Sequence, residues 1–312
     1  VMGLVITLAI AHILDKSALF SPEVMRKTIS VALVIAGVFG IVDFAFFFSV
    51  PGPKAGPLHS KVGLWQLVHQ PFMDRNFRRF IWFTASLTFA TGYLGQFIWL
   101  YLFDVAHMSN MEANALGVAF PLLTMLVSLP FWGRVIDRFG RKPVMIIAGL
   151  LVVNGATGWI LVTREAIWPG YLLVLLSTVA WPGMELASFN LLLGMSESMS
   201  GRRYGSAYVA ILSVTTALAG VLSGLFGGAL AEWLKDWDAV VFGWPVTYHA
   251  VLFILSGFLR LVTIGWLFRL EDRGASSTRS TFRYIAGSIY SNLGQVVVVP
   301  LRLAAHFGRL TY

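Results

Sequence analysis

Residues 133–143 read GRVIDRFGRKP, a charged stretch between two long apolar runs. The runs, Ala113–Gly133 and Pro143–Thr163, each have about the 20 residues that an α-helix needs to cross a bilayer. Gly140 favours a tight reversal, because glycine takes backbone conformations that other residues avoid. The stretch therefore predicts a charged hairpin between two membrane-spanning helices.

Apolar runs of similar length recur on both sides of this hairpin. We expect further spans at Ile29–Val50, Phe80–Asp104, Gly170–Gly194, Ser206–Glu232 and Tyr248–Arg269. Helices are favoured over barrel strands because the runs are continuous and do not alternate between apolar and polar residues. The pattern predicts an all-α, polytopic membrane helical bundle.

The composition supports a protein solvated mainly by lipid. Of the 312 residues, 57% are hydrophobic and 12% are charged, against about 25% charged in a soluble domain. Disorder and nucleic-acid-binding tails are excluded by the same numbers, so we expect no nucleic-acid partner. The chain has no cysteine, which rules out disulfides and thiolate metal sites within it, and we expect no cofactor.

Lys and Arg are concentrated in alternate connections of the predicted bundle. They crowd the 133–143 hairpin, residues 51–79, the loop around Arg202 and the tail after Arg269. Cytoplasmic loops of membrane proteins carry this excess. We therefore place these connections in the cytoplasm of a multi-pass protein, with the bacterial inner membrane as the expected location.

The chain is expected to divide at a long inner connection. Within it, Gly63–Arg79 resembles a short amphipathic helix on the inner leaflet. Val1–Leu14 is too short to span, so we interpret it as the end of a helix whose start precedes the chain; a re-entrant segment is the alternative. The expected segments are 1–50 (a partial and a whole span), 51–79 (the connection), 80–269 (six spans) and 270–312 (a surface-lying or poorly ordered cytoplasmic tail).

The hairpin resembles the G-x-x-x-D-R-x-G-R-K signature of the major facilitator superfamily. The matching positions are Gly133, Asp137, Arg138, Gly140, Arg141 and Lys142. The resemblance implies that the spans are the family's helices six to twelve, preceded by the end of helix five. It also implies a transporter whose six-helix C-terminal half follows one and a half helices of the N-terminal half.

In that family, the signature loop is thought to act as a conformational latch on the cytoplasmic side. Asp137 would pair with Arg138 or Arg141, or face the positive N-terminus of a neighbouring helix. Gly133 would allow two helices to approach closely. The alternative is a basic loop that only sets topology, but this would not explain Asp137 or the glycines.

The strongest candidate for a substrate or proton site lies in the Gly170–Gly194 span. An ionisable group inside a span costs ~2.5–3.5 kcal/mol and needs a reason. Ser177, Trp181, Glu185 and Ser188 are spaced to share one helical face. We expect Glu185 to be buried and to contact substrate or carry a coupling proton; the alternative is a structural hydrogen bond between helices.

Three further candidates lie in the Phe80–Asp104 span, and one charge lies in the last span. Gln96 and Trp99 border a threonine stripe that includes Thr88, and they are candidates for holding a polar or aromatic ligand. A threonine stripe also serves as contact between helices. Arg260 is expected to extend its side chain toward the cytoplasmic interface.

Gly220, Gly224 and Gly228 form a G-x-x-x-G-x-x-x-G stripe. Such a stripe permits close helix crossing. Homodimerisation is one interpretation. The resemblance favours contact between the two halves of one transporter, so we expect a monomer.

Catalytic motifs of the common enzyme classes are missing from this sequence, so we do not expect an enzyme. The prediction is a secondary active transporter that moves a small solute by alternating access, by symport or antiport, coupled to protons. The alternative is a transport-inactive relative that acts as a membrane sensor or scaffold.

Overall fold

The computed structural model describes residues 2–18, 22–49, 63–163, 165–198, 205–241 and 244–288. The helices are α1 (Met2–Ala18), α2 (Pro22–Phe47), α3 (Leu64–Met73), α4 (Arg75–Leu100), α5 (Asn110–Asn114), α6 (Phe120–Phe139), α7 (Arg141–Thr157), α8 (Trp168–Ser198), α9 (Gly205–Leu234), α10 (Tyr248–Phe268) and α11 (residues 278–288). π-helical turns at Tyr101–Val105 and Ala115–Ala119 extend α4 and join α5 to α6, and a 3₁₀ turn at Gly158–Leu161 extends α7.

The predicted polytopic helical bundle is confirmed. Among the described residues, six helices are long and apolar enough to cross a membrane: Pro22–Phe46, Asn110–Phe139, Arg141–Leu161, Trp168–Ser196, Gly205–Leu234 and Tyr248–Phe268. Helix α4 covers most of the predicted span Phe80–Asp104 but is less apolar. Its 26 residues correspond to about 39 Å, and it packs against α9 and α10.

A short β-hairpin, which the sequence did not predict, connects α9 to α10. Its strands are β1 (Asp238–Val241) and β2 (Trp244–Thr247), antiparallel with Asp238 opposite Thr247. Valine and threonine, which favour strands, make up much of both segments. The hairpin leaves the fold a helical bundle.

Helices α4 to α10 pack around two apolar clusters. One contains Phe77, Trp132 and Met145 and extends to Ile136 beside the charged hairpin. The other contains Leu116 and Phe253 and surrounds the opposite ends of the same helices. Helix α7 lies against both α8 and α10, while α6 packs on α8. The bundle therefore has an apolar interior into which few polar groups intrude.

Side chains cap the starts of α5 and α4. Ser109 and Glu112 form the capping box that their spacing indicates: the Glu112 amide donates to Ser109 Oγ at 3.2 Å, and the Ser109 amide donates to Glu112 Oε2 at 2.9 Å. The predicted surface helix Gly63–Arg79 is too long, because α3 ends at Met73. Asp74 then caps a new helix, its Oδ1 accepting from the Asn76 amide at 2.8 Å.

Residues 270–288, the first part of the expected surface-lying or poorly ordered tail, lie on the surface of the bundle and contact it. The Ser276 amide donates to the Phe139 carbonyl at 2.8 Å, and α11 packs on the bundle through Thr281 and Ile285, which are buried. A buried i, i+4 pair gives a short helix one docking face, so this part of the tail is held against the bundle. Residues 289–312 lie outside the described part.

Candidate functional site

A cavity of about 320 Å³ lies inside the bundle. Its walls come from α4, α6, α7, α8 and α10 and from the turns between them, and are mainly apolar. Three indole rings line it, those of Trp99, Trp159 and Trp181. The volume is at the lower end of the range of about 300–1,000 Å³ that is typical of small-molecule sites. The cavity therefore has the size and the walls of a site for a small, partly apolar ligand.

Both π-helical turns border this cavity. Leu102 contributes from the first turn, and Leu116 and Gly117 contribute from the second. A Cβ at Gly117 would lie 2.8 Å from Trp99 Cη2, so glycine is what allows this indole to lie against the turn. Because π-turns interrupt regular helix packing and are frequent at functional sites, their placement makes the cavity a candidate site.

Arg260 forms the charged part of the cavity wall, and the expectation that it extends to the interface is wrong. Its side chain is buried, with 7% of the residue exposed. Nη1 donates to the Val152 carbonyl at 3.0 Å, whereas Nε has no partner among the described residues. Arg260 lies eight residues before the end of α10, about 12 Å from it, whereas the Val152 carbonyl of α7 is within hydrogen-bond distance.

Ion pairing does not neutralise this guanidinium within the described part of the chain. The four ion pairs found there involve other side chains. The ionisable side chain acting on it from α4 is Tyr93, a phenol. Nearby, Tyr93 donates to the Leu252 carbonyl at 3.1 Å and Ser256 to the Ala90 carbonyl at 2.6 Å. A buried charge of this kind is costly unless a counter-charge reaches it.

The cavity gathers only part of the predicted substrate site. Ser177, Trp181 and Trp99 line it. Glu185 does not, and the prediction that it is buried is wrong, since its side chain is exposed. Each step of four residues turns a helix by about 40° and advances it by about 6 Å. Glu185 is therefore rotated by about 80° from Ser177 and lies about 12 Å beyond it.

The other predicted residues of this group lie apart from the cavity. Ser188 is half-buried farther along α8, and Thr88 is half-buried on α4. The neighbouring Thr91 donates to the Leu87 carbonyl of its own helix at 2.9 Å, so the threonine stripe partly satisfies itself. The side chain of Gln96 lies outside the described part of the structure.

Helix α8 is held near Pro182 by α6. Trp132 Nε1 donates to the Val179 carbonyl at 2.6 Å, and Thr124 donates to Thr178 Oγ1 at 2.7 Å. A Cβ at Gly183 would overlap the Trp132 ring. Gly183 thus permits a close contact between α8 and α6 beside the cavity.

The charged hairpin is the second feature of the site. Gly140 has φ +92° and ψ 175°, a combination that is essentially restricted to glycine. A Cβ there would lie 2.8 Å from Ala275 Cα. The predicted tight reversal is confirmed, and its reason is twofold: the backbone conformation and the close approach of the segment after α10.

Asp272 supplies the negative charge at the start of α7. Its Oδ2 accepts from the amides of Arg141 at 2.8 Å and Lys142 at 3.0 Å, and Oδ1 lies 3.9 Å from Arg141 Nη1. Only 5% of the Asp272 side chain is exposed. Carboxylates are favoured at helix N-termini because the amides there are unpaired and the helix dipole is positive.

Lys142 and Arg138 extend the same cluster. Lys142 Nζ donates to the carbonyls of Phe268 at 3.1 Å and Leu270 at 2.7 Å, which closes the C-terminal end of α10. The Arg138 guanidinium lies 4.7 Å from the centre of the Tyr284 ring in α11, a cation–π contact. The hairpin therefore joins α7, α10 and α11.

Asp137 and Gly133 make none of the contacts predicted for them within the described part of the chain. Asp137 is exposed and forms no ion pair there, since Arg141 faces Asp272 and Arg138 faces Tyr284. A Cβ at Gly133 would meet no described atom within 4 Å.

The glycine stripe faces away from the bundle. A Cβ at Gly220, Gly224 or Gly228 would meet no described atom within 4 Å. Gly227 instead makes the close contact of α9 with α4, where a Cβ would lie 2.7 Å from Tyr93 Cβ. The stripe is thus open on the described surface, and its role between halves stays a prediction.

Sequence reasoning missed Arg260 as a cavity residue and Asp272 as a helix cap. A signal existed for Arg260: an arginine in the middle of a long apolar run, without an acid at helical spacing. In the described segments, no group of three His, Asp or Glu side chains is placed to hold a metal ion.

A polytopic helical bundle with an internal cavity and a charged hairpin is typical of membrane transporters. Residues 105–308, more than half of the chain, match the sequence profile of the Major Facilitator Superfamily. The chain belongs to this superfamily, which comprises membrane transporters, and it is an integral, multi-pass membrane protein.

A curated relative with a detectable similarity comes from a plant. Over 212 residues, the chain is 27% identical to Protein ZINC INDUCED FACILITATOR 1 of Arabidopsis thaliana, an alignment that covers 62% of this chain and 40% of the relative. The chain therefore spans less than half the length of this relative.

Proposed function

We propose that the chain is part of a secondary active transporter that moves a small solute by alternating access, with protons as the coupling ion. Residues 80–269 would form its C-terminal half, and residues 1–50 the end of its N-terminal half. The observation that carries the proposal is the tryptophan-lined cavity inside a bundle of this superfamily. The plant relative is also named as a facilitator, which agrees with solute movement.

The hairpin supports the latch part of this mechanism. Asp137 lies in the last turn of α6, where the helix dipole disfavours a carboxylate. It also has no ion-pair partner in the described residues. We infer that its partner belongs to the opposite half and is met only when the cytoplasmic side is closed, as a two-state latch requires.

Proton coupling is assigned to Glu185. It is the carboxylate closest in sequence to the cavity residues of α8, one turn beyond Trp181. Its exposed side chain leaves it available to the space between the two halves, where intramembrane carboxylates commonly serve in proton relays. Trp181 and Ser177 would then contact the solute directly.

The test uses the protein that contains this chain, reconstituted in liposomes with a pH-sensitive dye in the lumen. A panel of labelled organic anions, cations and neutral solutes is offered with and without a pH gradient. We expect one class to accumulate only with the gradient, and Glu185→Gln to abolish gradient-driven accumulation while leaving solute exchange. Glu165→Gln, the same change at an exposed loop residue, is the matched control.

The outcomes separate the parts of the proposal. Unchanged solute accumulation by the Glu185→Gln variant would contradict the assignment of proton coupling to Glu185, but not the proposal that the protein is a transporter. If no solute class moves under any gradient, although the protein is correctly inserted, transport is wrong and the sensor or scaffold alternative is supported.

A further inference from the structure

The cavity pairs a buried cation with aromatic walls, and this combination specifies a ligand class. We propose that it binds a small organic anion, with a carboxylate on Arg260 and an apolar body between the indole rings. This inference rests on the proposed function, whose solute class it names.

The charge of the cavity wall is the first argument. Arg260 is more than nine-tenths buried, lines the cavity and has an Nε hydrogen that no described atom accepts. Among the described residues it makes one hydrogen bond, to the Val152 carbonyl, so most of its five donors have no partner there. A carboxylate matches the fork of a guanidinium with two parallel hydrogen bonds.

The walls give the second argument. Besides Arg260, the polar side chains that line the cavity in the described part of the structure are Ser177 and Thr178. Thr178 already bonds to Thr124 and to the Leu175 carbonyl. A ligand rich in hydroxyl groups would therefore leave its polar atoms unpaired, which is costly. An aromatic or aliphatic body instead packs against Trp99, Trp159 and Trp181.

The size of the cavity gives the third argument. At about 320 Å³, the cavity accepts a single ring or a short chain with one charged group. Gly95 and Gly117 line it and are exposed, so it is open to the surface on their side. The ligand is therefore a soluble monocarboxylate able to enter from outside the bundle.

Benzoate and benzamide form a matched pair of probes, because they have nearly the same shape and differ in charge. Their binding is measured by calorimetry on the protein that contains this chain, in nanodiscs of phosphatidylcholine, which supplies no free carboxylate. We expect benzoate to bind about ten- to a hundredfold more tightly than benzamide, the range for a hydrogen-bonded charge pair.

Variants at Arg260 separate a ligand contact from a structural role. Arg260→Gln should remove the preference for benzoate, and Arg260→Lys should keep part of it. Arg75→Gln, the same change at an exposed arginine, should leave the ratio unaltered. If the only role of Arg260 is to hold α7 through Val152, the substitution will weaken both probes equally and the inference is wrong.

The wild-type protein tests the inference even if the Arg260 variants do not fold. Equal affinity for the two probes, or tighter binding of benzylamine than of benzoate, overturns it. Butanoate, a short-chain carboxylate, serves as a second probe and should compete with benzoate at the same site. Benzoate binding without any transport would support the anion site and count against the proposed function. Transport of cations alone would support the proposed function and count against the anion site.

Discussion

Asp272 and Asp137 both belong to the charged cluster around the hairpin, yet the structure assigns them opposite energetic roles. Asp272 is buried and accepts two amide hydrogen bonds from the start of α7. Asp137 belongs to the signature of the superfamily but is exposed in the last turn of α6. Replacing each by alanine therefore separates helix capping from the role of the signature acid.

The cost of Asp272→Ala follows from the contacts that it removes. Loss of a capping side chain costs about 0.5–2 kcal/mol, and amides left unpaired in a buried place cost about 1–3 kcal/mol each. The Arg141 guanidinium also loses its carboxylate at 3.9 Å. Because these losses overlap, we expect a total of about 2–4 kcal/mol. Asp272→Asn, which keeps one acceptor oxygen, should fall between alanine and wild type.

For Asp137→Ala we expect no loss of stability, or a small gain. The carboxylate makes no ion pair in the described residues, and its position near a helix C-terminus is unfavourable. Surface changes of this kind usually stay within about 0.5 kcal/mol. If it is the latch acid, its removal should alter transport instead.

Thermal unfolding in detergent, followed by tryptophan fluorescence, measures both variants. One kcal/mol corresponds to about 2–4 °C for a domain of 150–250 residues, so Asp272→Ala should lower the midpoint by about 5–15 °C. The reasoning is refuted if Asp137→Ala lowers the midpoint as much as Asp272→Ala, or if Asp272→Ala leaves it unchanged.

Two further predictions concern α9 and α1. Gly227→Ala should destabilise the protein by about 1–3 kcal/mol, because its Cβ would press on Tyr93. Gly224→Ala meets no described atom and should be neutral or stabilising in thermal unfolding, yet should impair transport if the glycine stripe contacts the other half. Asp15 follows the apolar part of α1; burial tends to raise its pKa, but hydrogen bonds from the Asn110 side chain and from the amides of Met111 and Asn110 lower it below 3.8 overall. The stability that the ionised Asp15 carboxylate contributes to the fold is therefore complete above about pH 4. It is lost as the pH falls through the lowered pKa. The difference in unfolding midpoint between wild type and Asp15→Asn should stay constant from pH 7 to 5 and shrink in stronger acid; a difference that shrinks near pH 6 would contradict this.

Much of the fold was predictable because lipid imposes a simple rule on sequence. A helix that crosses a bilayer needs a long apolar run, and such runs placed the spans to within several residues. Local signals were also reliable: Gly140 predicted the reversal, and the S-x-x-E spacing of Ser109 and Glu112 is typical of the capping box found at that helix start. These features depend on residues within a few positions of one another.

The site was less predictable because it depends on which helix faces meet. Asp272 caps helix α7, which begins 131 residues earlier. No local sequence pattern indicates that these two segments meet. Glu185 and Arg260 each stood out as a charge in an apolar run, but the helix rotation that exposes one and buries the other is set by packing. Helical spacing correctly predicted that Ser177 and Trp181 lie on the same side of α8, where both line the cavity. It wrongly placed Glu185, eight residues beyond Ser177, on that side.

Helices α7 and α10 connect the cavity to the hairpin. Arg260 of α10 bonds to the Val152 carbonyl of α7, and Lys142 of α7 bonds to the Phe268 carbonyl of α10. The two bonds are ten residues apart along α7, about 15 Å, so they fix the pair against both sliding and rotation. Alternating access requires helices that move as rigid bodies around a substrate site. A pair joined near the hairpin and again beside the cavity meets that requirement, because a movement of the hairpin would carry with it the wall that holds Arg260.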